Sequence, residues 1–524
     1  MESVTRQLNV LPLWPLALLG CIGLAALIYS ALSGREPPLP PGPKGRVPFL
    51  GMTFDMPKKT PWVTFQKWAE EYGPIMHVRV GLKHYIYINS PELSRELLDK
   101  RSQIYSSRPP SVVGEIVTDN LRTETRRTFN NLLTAKKCDG YTKIQAREAI
   151  ATLADIMNDP DRFERHLYRY SISVARSIGY GRRVLESEDD FAKDINKLMS
   201  NFSAAMTPGK YVVESIPMLR QLPIIFQPWM KELIPIREHE RSSNLRNYRQ
   251  ALKDAEKHPN RNCIALDLHQ SRGKDASIHE LEDATTCNEI LGTGSETTAS
   301  ALLFIIMALV SFPEAAKKAQ EELDRVIGRD RFPTWEDEPN LPYIRAIVKE
   351  SHRWRTVSPL GFHHYATQDD VWNGYRIPKG SVITINTWAM HMDAQRYVNP
   401  DAFQPERFLG YDLSASAYAN AGNVAARDHF AYGNGKRICP GIHLAERSLF
   451  NLTAHLLHTF DFKPALDAQG KEIPLDTHKF LTGLVARPES YKVRFIVRNE
   501  EIKKTLDREW ERLYGQGPVE SWDA

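Results

Sequence analysis

Residues 432–441 of the chain read Tyr-Gly-Asn-Gly-Lys-Arg-Ile-Cys-Pro-Gly. The single cysteine of this stretch, Cys439, follows a glycine-rich run, with Arg437 two residues before it and Gly441 two residues after it. Glycine lets a backbone approach a flat macrocycle closely, and arginine pairs with anionic groups of a ligand. A free cysteine is usually only a small buried hydrophobic residue. The glycines and the arginine at these spacings instead favour a thiolate bound to haem iron.

Length and composition limit the classes of function. The chain has 524 residues, 42% hydrophobic and 25% charged, which allows two or three average domains or one large enzyme domain. A net charge of +4 is too small to indicate nucleic-acid binding. The five cysteines are scattered and include no Cys-x-x-Cys pair, so a disulfide framework or a zinc cluster is disfavoured and a reducing compartment fits better.

The N-terminal segment differs from the rest of the chain. Residues 8–32 are almost wholly apolar, and no charged residue lies between Arg6 and Arg35. This is enough helix to span a bilayer, so residues 1–34 are predicted to be a transmembrane anchor; a cleaved signal peptide is the alternative. Positive charge is richer after the span, which predicts a cytosolic catalytic domain. The proline-rich stretch that follows predicts a stiff hinge over residues 35–60.

The remaining pattern, over residues 61–524, predicts a mainly α fold with minor β structure. Residues 77–80 and 85–88 are β-prone and read as a hairpin, and a second β-prone patch covers residues 382–385. The clearest helix runs from Ile278 to Ser311, and Pro313 ends it.

Two motifs besides the cysteine stretch carry candidate chemistry. In the middle of the long helix, residues 293–298 read Thr-Gly-Ser-Glu-Thr-Thr, so Glu296 and Thr297 are candidates for proton delivery. The alternative is a solvent-facing glutamate beside a threonine that bonds back to its own helix. In the second motif, Glu350 and Arg353 share one helix face, a spacing that usually means no more than a surface ion pair.

These motifs, with Arg407 in the stretch Pro-Glu-Arg-Phe, occur in the order found in the cytochrome P450 family, which the chain resembles over residues 35–500. The resemblance implies the cytochrome P450 fold, with haem b between a long central helix and the cysteine loop. It implies that Cys439 is the axial iron ligand and that Glu350, Arg353 and Arg407 form a buried triad behind the loop. It also implies haem contacts from the following residues: Arg126, His364, Tyr432, Gly435, Arg437 and Gly441.

The chain departs from the family's pattern at three places. Tyr432 stands where phenylalanine is usual, and Thr293 stands where alanine or glycine is usual. The family's early Trp-Arg-x-x-Arg run has no tryptophan here, although Arg126 fits its second arginine, and the stretch 112–120 looks short. The two interpretations are a loss of part of the loop before that helix and an incomplete gene model, and either one puts haem retention and folding in question.

The resemblance implies a monooxygenase that inserts one oxygen atom from O₂ into a lipophilic small molecule. It looks closest to membrane-bound enzymes of fungal secondary metabolism, such as the O-methylsterigmatocystin oxidoreductase group. Because no flavin or dinucleotide motif follows the haem domain, electrons are expected from NADPH through a separate reductase at the endoplasmic reticulum membrane. Lys436 and Arg447 are candidates for a basic face that docks the reductase. The alternatives are a haem-thiolate isomerase or dehydratase, and a non-catalytic haem-binding protein.

Overall fold

The structure is a computed structural model, and it describes residues 36–47, 50–118, 125–186, 189–207, 209–258, 262–273, 279–483 and 485–515. The predicted anchor over residues 1–34 and part of the predicted hinge lie outside these ranges. The stretch 119–124, where the sequence departs from the family's pattern, also lies outside them.

Helices dominate the described part of the chain. The longer ones are α1 (Pro61–Tyr72), α2 (Thr125–Leu132), α3 (Thr142–Asn158), α4 (Phe163–Tyr180), α5 (Asp190–Ala205), α6 (Met230–Lys257), α7 (Ile264–Arg272), α8 (Glu280–Ser311), α9 (Pro313–Val326), α10 (Pro342–Trp354), α11 (Ile442–Thr459) and α12 (Glu500–Tyr514). Short α-helices are Pro91–Ser94, Ser102–Tyr105, Val112–Val117, Ala135–Asp139, Val212–Ser215, Thr387–His391 and Ala415–Ala419. A π turn covers Arg95–Lys100, and 3₁₀ turns cover Pro160–Arg162, Pro217–Gln221, Ile224–Phe226, Trp335–Asn340, Pro405–Phe408, Val424–Ala426 and Gly435–Arg437.

The β structure is small. The strands are β1 (Ile75–Val80), β2 (Lys83–Ile88), β3 (His364–Tyr365), β4 (Asp370–Trp372), β5 (Tyr375–Ile377), β6 (Val382–Ile385), β7 (Phe460–Pro464), β8 (Phe480–Leu481), β9 (Arg487–Pro488) and β10 (Val493–Val497). One four-stranded sheet has the order β1-β2-β6-β3, in which only the β2–β6 pair is parallel. The predicted hairpin and the predicted strand over residues 382–385 are confirmed, and they pair with each other in this sheet.

The long helix α8 is the centre of the fold. Its first turn carries Glu280, Glu282 and Asp283, which favour a helix N-terminus, and it ends before Pro313, which opens α9. Within the described ranges, α8 is the helix whose length and composition would allow it to cross a membrane, but 78% of its most apolar window is buried inside the protein. Apolar burial, not a lipid environment, therefore explains its composition, since the hydrophobic core packs around it.

The proline-rich stretch is attached to the sheet rather than projecting from it. The carbonyl of Pro41 accepts from the N–H of His77 at 2.9 Å, and the carbonyl of Pro38 accepts from the N–H of Arg376 at 2.8 Å. Proline keeps this segment extended, which leaves its carbonyls free for such contacts. The start of the described chain is therefore held beside β1 and β5.

Candidate active site

The cysteine loop lies between the 3₁₀ turn Gly435–Arg437 and the N-terminus of α11. The N–H of Cys439 donates to the carbonyl of Tyr432 at 2.8 Å, which closes the loop. Gly435 has a φ of +66°, and a Cβ at this position would lie 2.2 Å from the carbonyl oxygen of Leu98. Only glycine therefore fits here, and the loop is seated against the π turn Arg95–Lys100.

The surroundings of Cys439 act on the pKa of its thiol in opposite directions. Burial raises its pKa, whereas the N–H of Gly441 and the positive charge of Arg126 act in the opposite direction. The adjacent N-terminus of α11 also favours negative charge. A bound metal cation shifts this balance toward the thiolate, because coordination removes the thiol proton.

Glu350, Arg353 and Arg407, which together form the Glu350 group, lie together in the structure, an arrangement that only the family resemblance implied. Arg353 binds the carboxylate of Glu350 with two hydrogen bonds of 2.7 Å, and both side chains are fully buried. The Nε of Arg407 lies 3.4 Å from the same carboxylate, which also accepts from the N–H of Gln404 at 2.9 Å. Arg353 additionally donates to three backbone carbonyls, those of His391, Pro400 and Ala402. Glu350 and Arg353 are therefore not a surface ion pair, because both side chains are fully buried and hydrogen-bonded.

A second set of arginines, Arg108, Arg126 and Arg437, forms what we call the arginine cluster. Burial and mutual repulsion lower the pKa of Arg108 to about 10, and they also lower the pKa of Arg126. Arg437 donates to the carbonyl of Ser106 at 2.8 Å. None of the three has a carboxylate within ion-pair distance among the described residues. The cluster is therefore a positive site near Cys439 with no anionic partner supplied by the described residues.

His364 belongs to the same region and is not an exposed loop residue. It is buried, and its Nδ1 lies 2.8 Å from the carbonyl of Tyr105. Burial and the positive charges of Arg108 and Arg437 lower its pKa to about 4. Its position beside the arginine cluster agrees with the role that the resemblance implies.

Arg108 is the residue of this region that the sequence interpretation missed. It donates to the carbonyls of Phe362 at 3.0 Å and His363 at 2.6 Å, which ties the stretch before the helix Val112–Val117 to strand β3. The sequence gives no periodic signal for it, because it stands alone in an irregular stretch before two prolines. Only the tertiary structure brings it to Arg126 and Arg437.

Tyr432 has a partner for its hydroxyl group. The hydroxyl lies 3.0 Å from Nε2 of His352, a buried residue of α10 between Glu350 and Arg353. The ring centroids of Tyr432 and His429 are 5.5 Å apart, so the tyrosine lies in a cluster of buried rings. The substitution of tyrosine for the family's phenylalanine is therefore accommodated by a hydrogen bond to the helix behind the loop.

On α8 the hydroxyl of Thr297 donates to the carbonyl of Thr293 at 2.7 Å, and that of Thr293 donates to the carbonyl of Glu289 at 2.6 Å. The helix runs without interruption through this stretch. Glu296 is half-buried, and burial raises its pKa while Arg487 acts in the opposite direction. No hydrogen bond or ion pair among the described residues joins Glu296 or Thr297 to the cysteine loop.

Comparison with known proteins agrees with this geometry. The family described as Cytochrome P450 matches residues 40–495. The chain belongs to the cytochrome P450 family. It is 33% identical to cytochrome P450 monooxygenase verL of Clonostachys rogersoniana, covering 97% of this chain and 96% of the relative. It is 35% identical to cytochrome P450 monooxygenase fogE of Aspergillus ruber, covering 94% and 93%.

The fold of this cytochrome P450 also matches a solved structure. A zebra fish cytochrome P450 with abiraterone superimposes with a TM-score of 0.64 at 24% identity, over 84% of this chain and all of that one. The predicted fold is confirmed. The relatives likewise confirm the predicted class: a haem monooxygenase, which uses a redox partner, O₂ and a lipophilic substrate.

Haem b is the cofactor of the cytochrome P450 family, and the residues of this chain fit it. Cys439 offers a thiol at a helix N-terminus, and Gly435 lets its loop pack without side-chain bulk. The arginine cluster offers positive charge that would pair with two propionates. These are separate features, and each suits a different part of the same flat, dianionic ligand.

The predicted role of Arg447 in docking the reductase is wrong. Arg447 is buried on α11, where its guanidinium donates to Asp139 at 2.9 Å and lies 4.7 Å above the ring of Trp335. Because the guanidinium of Arg447 is buried and paired with Asp139, it cannot contact a docking reductase. Lys436 is exposed and remains the candidate for that face.

Proposed function

We propose that this cytochrome P450 holds haem iron through Cys439 and oxidises a lipophilic small molecule of fungal secondary metabolism. The bound haem supplies O₂ activation, which no side chain of the protein can supply. The observation that carries the proposal is the convergence of the half-buried Cys439 loop with an arginine cluster that has no carboxylate partner among the described residues.

Different residues are proposed to bind the haem, to support the cysteine loop and to deliver protons. Arg108, Arg126, Arg437 and His364 bind the propionates and so set the orientation of the macrocycle. The Glu350 group fixes the helix behind the loop, and Tyr432 and Gly441 shape the loop around the thiolate. On α8, Glu296 would take protons from solvent and Thr297 would pass them on, and the raised pKa of Glu296 suits that role. To do so, Thr297 would release its hydrogen bond to the carbonyl of Thr293.

Electrons are proposed to come from NADPH through a separate cytochrome P450 reductase. Lys436 lies one residue before Arg437 and is exposed, so a negatively charged partner that docks there comes close to the cysteine loop. Electrostatic attraction of this kind acts mainly on the association rate. Lys436→Glu is expected to slow reduction of the haem at low salt and to lose that effect at high salt.

Membrane attachment is proposed to use two elements. Residues 1–34 form a single-pass anchor in the endoplasmic reticulum, residues 35–60 form the hinge, and residues 61–524 form the cytosolic catalytic domain. The second element is an exposed apolar segment that includes Ile216, Met218, Ile224, Ile225 and Phe226. Exposed apolar surface of this extent usually marks an interaction site.

The hairpin turn lies beside this apolar segment. Lys83 donates to the carbonyl of Glu214 at 3.0 Å, and Leu82 at the turn is 84% exposed. Because the described chain begins against the same sheet, the anchor and the segment can contact one membrane. Full-length Ile225→Asp/Phe226→Asp is expected to change the haem tilt relative to the bilayer, measured by linear dichroism in oriented membranes, without releasing the protein.

The test of the proposed function is the difference spectrum of the reduced, carbon-monoxide-bound protein. A strongly red-shifted Soret band is expected for the full-length chain and is lost in Cys439→Ala. Cys287→Ala, a buried cysteine on α8, is the matched control and should keep the band. A chain that binds haem with the same spectrum in both cysteine variants would contradict Cys439 as the ligand.

A further inference from the structure

Two glycines flank Asn434 in the cysteine loop. Gly433 and Gly435 have φ angles of +79° and +66°, a conformation that glycine adopts without strain. Glycine also leaves a backbone the most freedom to move, and Gly435 has no side chain that could interlock with the π turn Arg95–Lys100. The side chain of Asn434, which is 2% exposed, is therefore the group through which this part of the loop can be fixed.

Arg427 makes the contact that fixes Asn434. Its Nη1 donates to Oδ1 of Asn434 at 3.0 Å, and among the described residues the amide nitrogen of Asn434 has no partner. Its Nη2 binds the carboxylate of Asp99 on the π turn. Arg427 is 3% exposed, and its Nε donates to the carbonyl of Ala421 at 3.2 Å. One guanidinium therefore joins the cysteine loop to the turn against which the loop is seated.

The segment that carries Arg427 is itself held in place. The backbone carbonyl of Arg427 accepts from Arg396 at 2.9 Å, and that of Asp428 accepts from the hydroxyl of Tyr397 at 3.1 Å. The carboxylate of Asp428 binds Lys349 of α10 at 2.6 Å, and both of these side chains are buried. The planar guanidinium is also preorganised for binding two partners at once. Arg427 therefore holds Asn434 from a rigid base.

We propose that Arg427 is a positioning residue of this monooxygenase, which holds Asn434 so that Cys439 stays in place as the thiolate ligand of the haem. The inference rests on the proposed function, in which Cys439 binds the iron. Asn434 lies five residues before Cys439. A rotation of the backbone at either flanking glycine would move the thiol relative to the haem, and the hydrogen bond from Arg427 opposes that rotation. Residues around a metal site commonly orient its ligands through hydrogen bonds of this kind.

The test measures how long thiolate ligation lasts in the haem-loaded full chain. The reduced, carbon-monoxide-bound protein is kept in urea below its unfolding transition. The red-shifted Soret band is then followed as it converts to the band of neutral-ligand haem. In Arg427→Gln and in Asn434→Leu, this conversion should be at least about tenfold faster, because each variant breaks the charge-assisted hydrogen bond between the two residues. Asn434→Asp keeps an oxygen for Arg427, so its conversion rate should not rise.

A double variant shows whether the two residues act through one bond. The conversion rate of Arg427→Gln/Asn434→Leu should match that of Arg427→Gln, whereas independent effects would multiply to about a hundredfold. Arg498→Gln is the matched control, because it removes a partly buried arginine that pairs with Asp324 of α9 at 2.7 Å. This control should lower stability toward urea and leave the conversion rate unchanged.

Three outcomes would overturn the inference. Unchanged conversion rates in Arg427→Gln and Asn434→Leu, with lowered stability, would assign Arg427 to the fold alone. Rates that multiply in the double variant, or equal acceleration by Asn434→Leu and Asn434→Asp, would show that the bond between the two residues does not hold the loop. If Arg427→Gln does not fold, the comparison of the two Asn434 variants decides.

The unaltered chain separates failure of the inference from failure of the proposed function. If it lacks the red-shifted band, both are rejected, because Cys439 then does not bind the iron as a thiolate. If it has the band and the variants convert at the same rate as the unaltered chain, only the role of Arg427 is rejected.

Discussion

The Glu350 group and the arginine cluster both place guanidinium groups near the cysteine loop, but Arg353 is fully buried, whereas Arg108 is exposed and Arg126 and Arg437 are half-buried. Arg353 is saturated by one carboxylate and three backbone carbonyls, and its distances are those of a closed network. Arg108 and Arg126 repel each other and Arg437, and the described residues supply them with no carboxylate. Glu350 and Arg353 satisfy each other without a ligand, whereas the arginine cluster gains a counter-charge only when an anion binds.

This difference separates residues that build the site from residues that bind in it. Burying a charge is tolerated only where a partner compensates it. A compensated group therefore supports the fold, and an uncompensated group of like charges indicates a ligand of opposite charge. Each region consequently predicts a different response to mutation.

The largest effect is expected in the Glu350 group. Glu350→Gln leaves Arg353 and Arg407 without their carboxylate, and breaking a buried pair in this way costs about 3–5 kcal/mol of the free energy of unfolding. The measurement is chemical denaturation of the haem-loaded protein. Glu501→Gln, in the exposed pair with Arg329, is the matched control and should change stability by at most about 1 kcal/mol. Equal effects in the two variants would remove the distinction between the regions.

In the arginine cluster, a mutation should lower the affinity for haem and leave the stability of the apo-protein unchanged. Arg126→Gln removes a charge that is repelled in the apo-protein, so the apo-protein should lose no stability. Haem affinity should fall about tenfold, which is the loss expected when one charge-assisted hydrogen bond is removed. Transfer of haem to apomyoglobin measures this affinity. Arg127→Gln changes the exposed neighbour and is the control. A variant that loses apo-protein stability but keeps haem would assign Arg126 to the fold instead.

A smaller effect is expected on the pH dependence of apo-protein stability, through His364 beside the arginine cluster. The pKa of His364 is lowered to about 4, below its value in an unfolded chain, so the folded apo-protein disfavours the protonated form. Its contribution to stability is therefore present above a pH of about 6.5 and is lost as the pH falls toward 4. Denaturation of apo-protein His364→Gln across this range should show a shallower loss than the unaltered chain.

The cysteine loop could be recognised from the sequence because its glycines, Arg437 and Cys439 have a fixed local spacing. The spacing of Glu350 and Arg353 placed them on one helix face but favoured a surface ion pair, and the buried group with Arg407 followed only from the resemblance to the family. Arg108 could not be predicted, because it reaches Arg126 and Arg437 from an irregular stretch by tertiary packing. Arg447 was misassigned for a related reason: the sequence shows its charge but not that Asp139 and Trp335 bury it.

The smallest effect should come from Tyr432, which joins the cysteine loop to helix α10. Its hydroxyl binds His352 of α10, while its carbonyl accepts from the N–H of Cys439. Tyr432→Phe removes only the hydroxyl, so stability should fall by about 1 kcal/mol and the carbon monoxide spectrum should keep its thiolate position. His352→Phe removes the other partner of the same bond and leaves the tyrosine hydroxyl buried, so it should cost more. If Tyr432→Phe instead displaces the Soret band, the hydroxyl influences the thiolate directly, and the loop is coupled to α10 through more than its backbone.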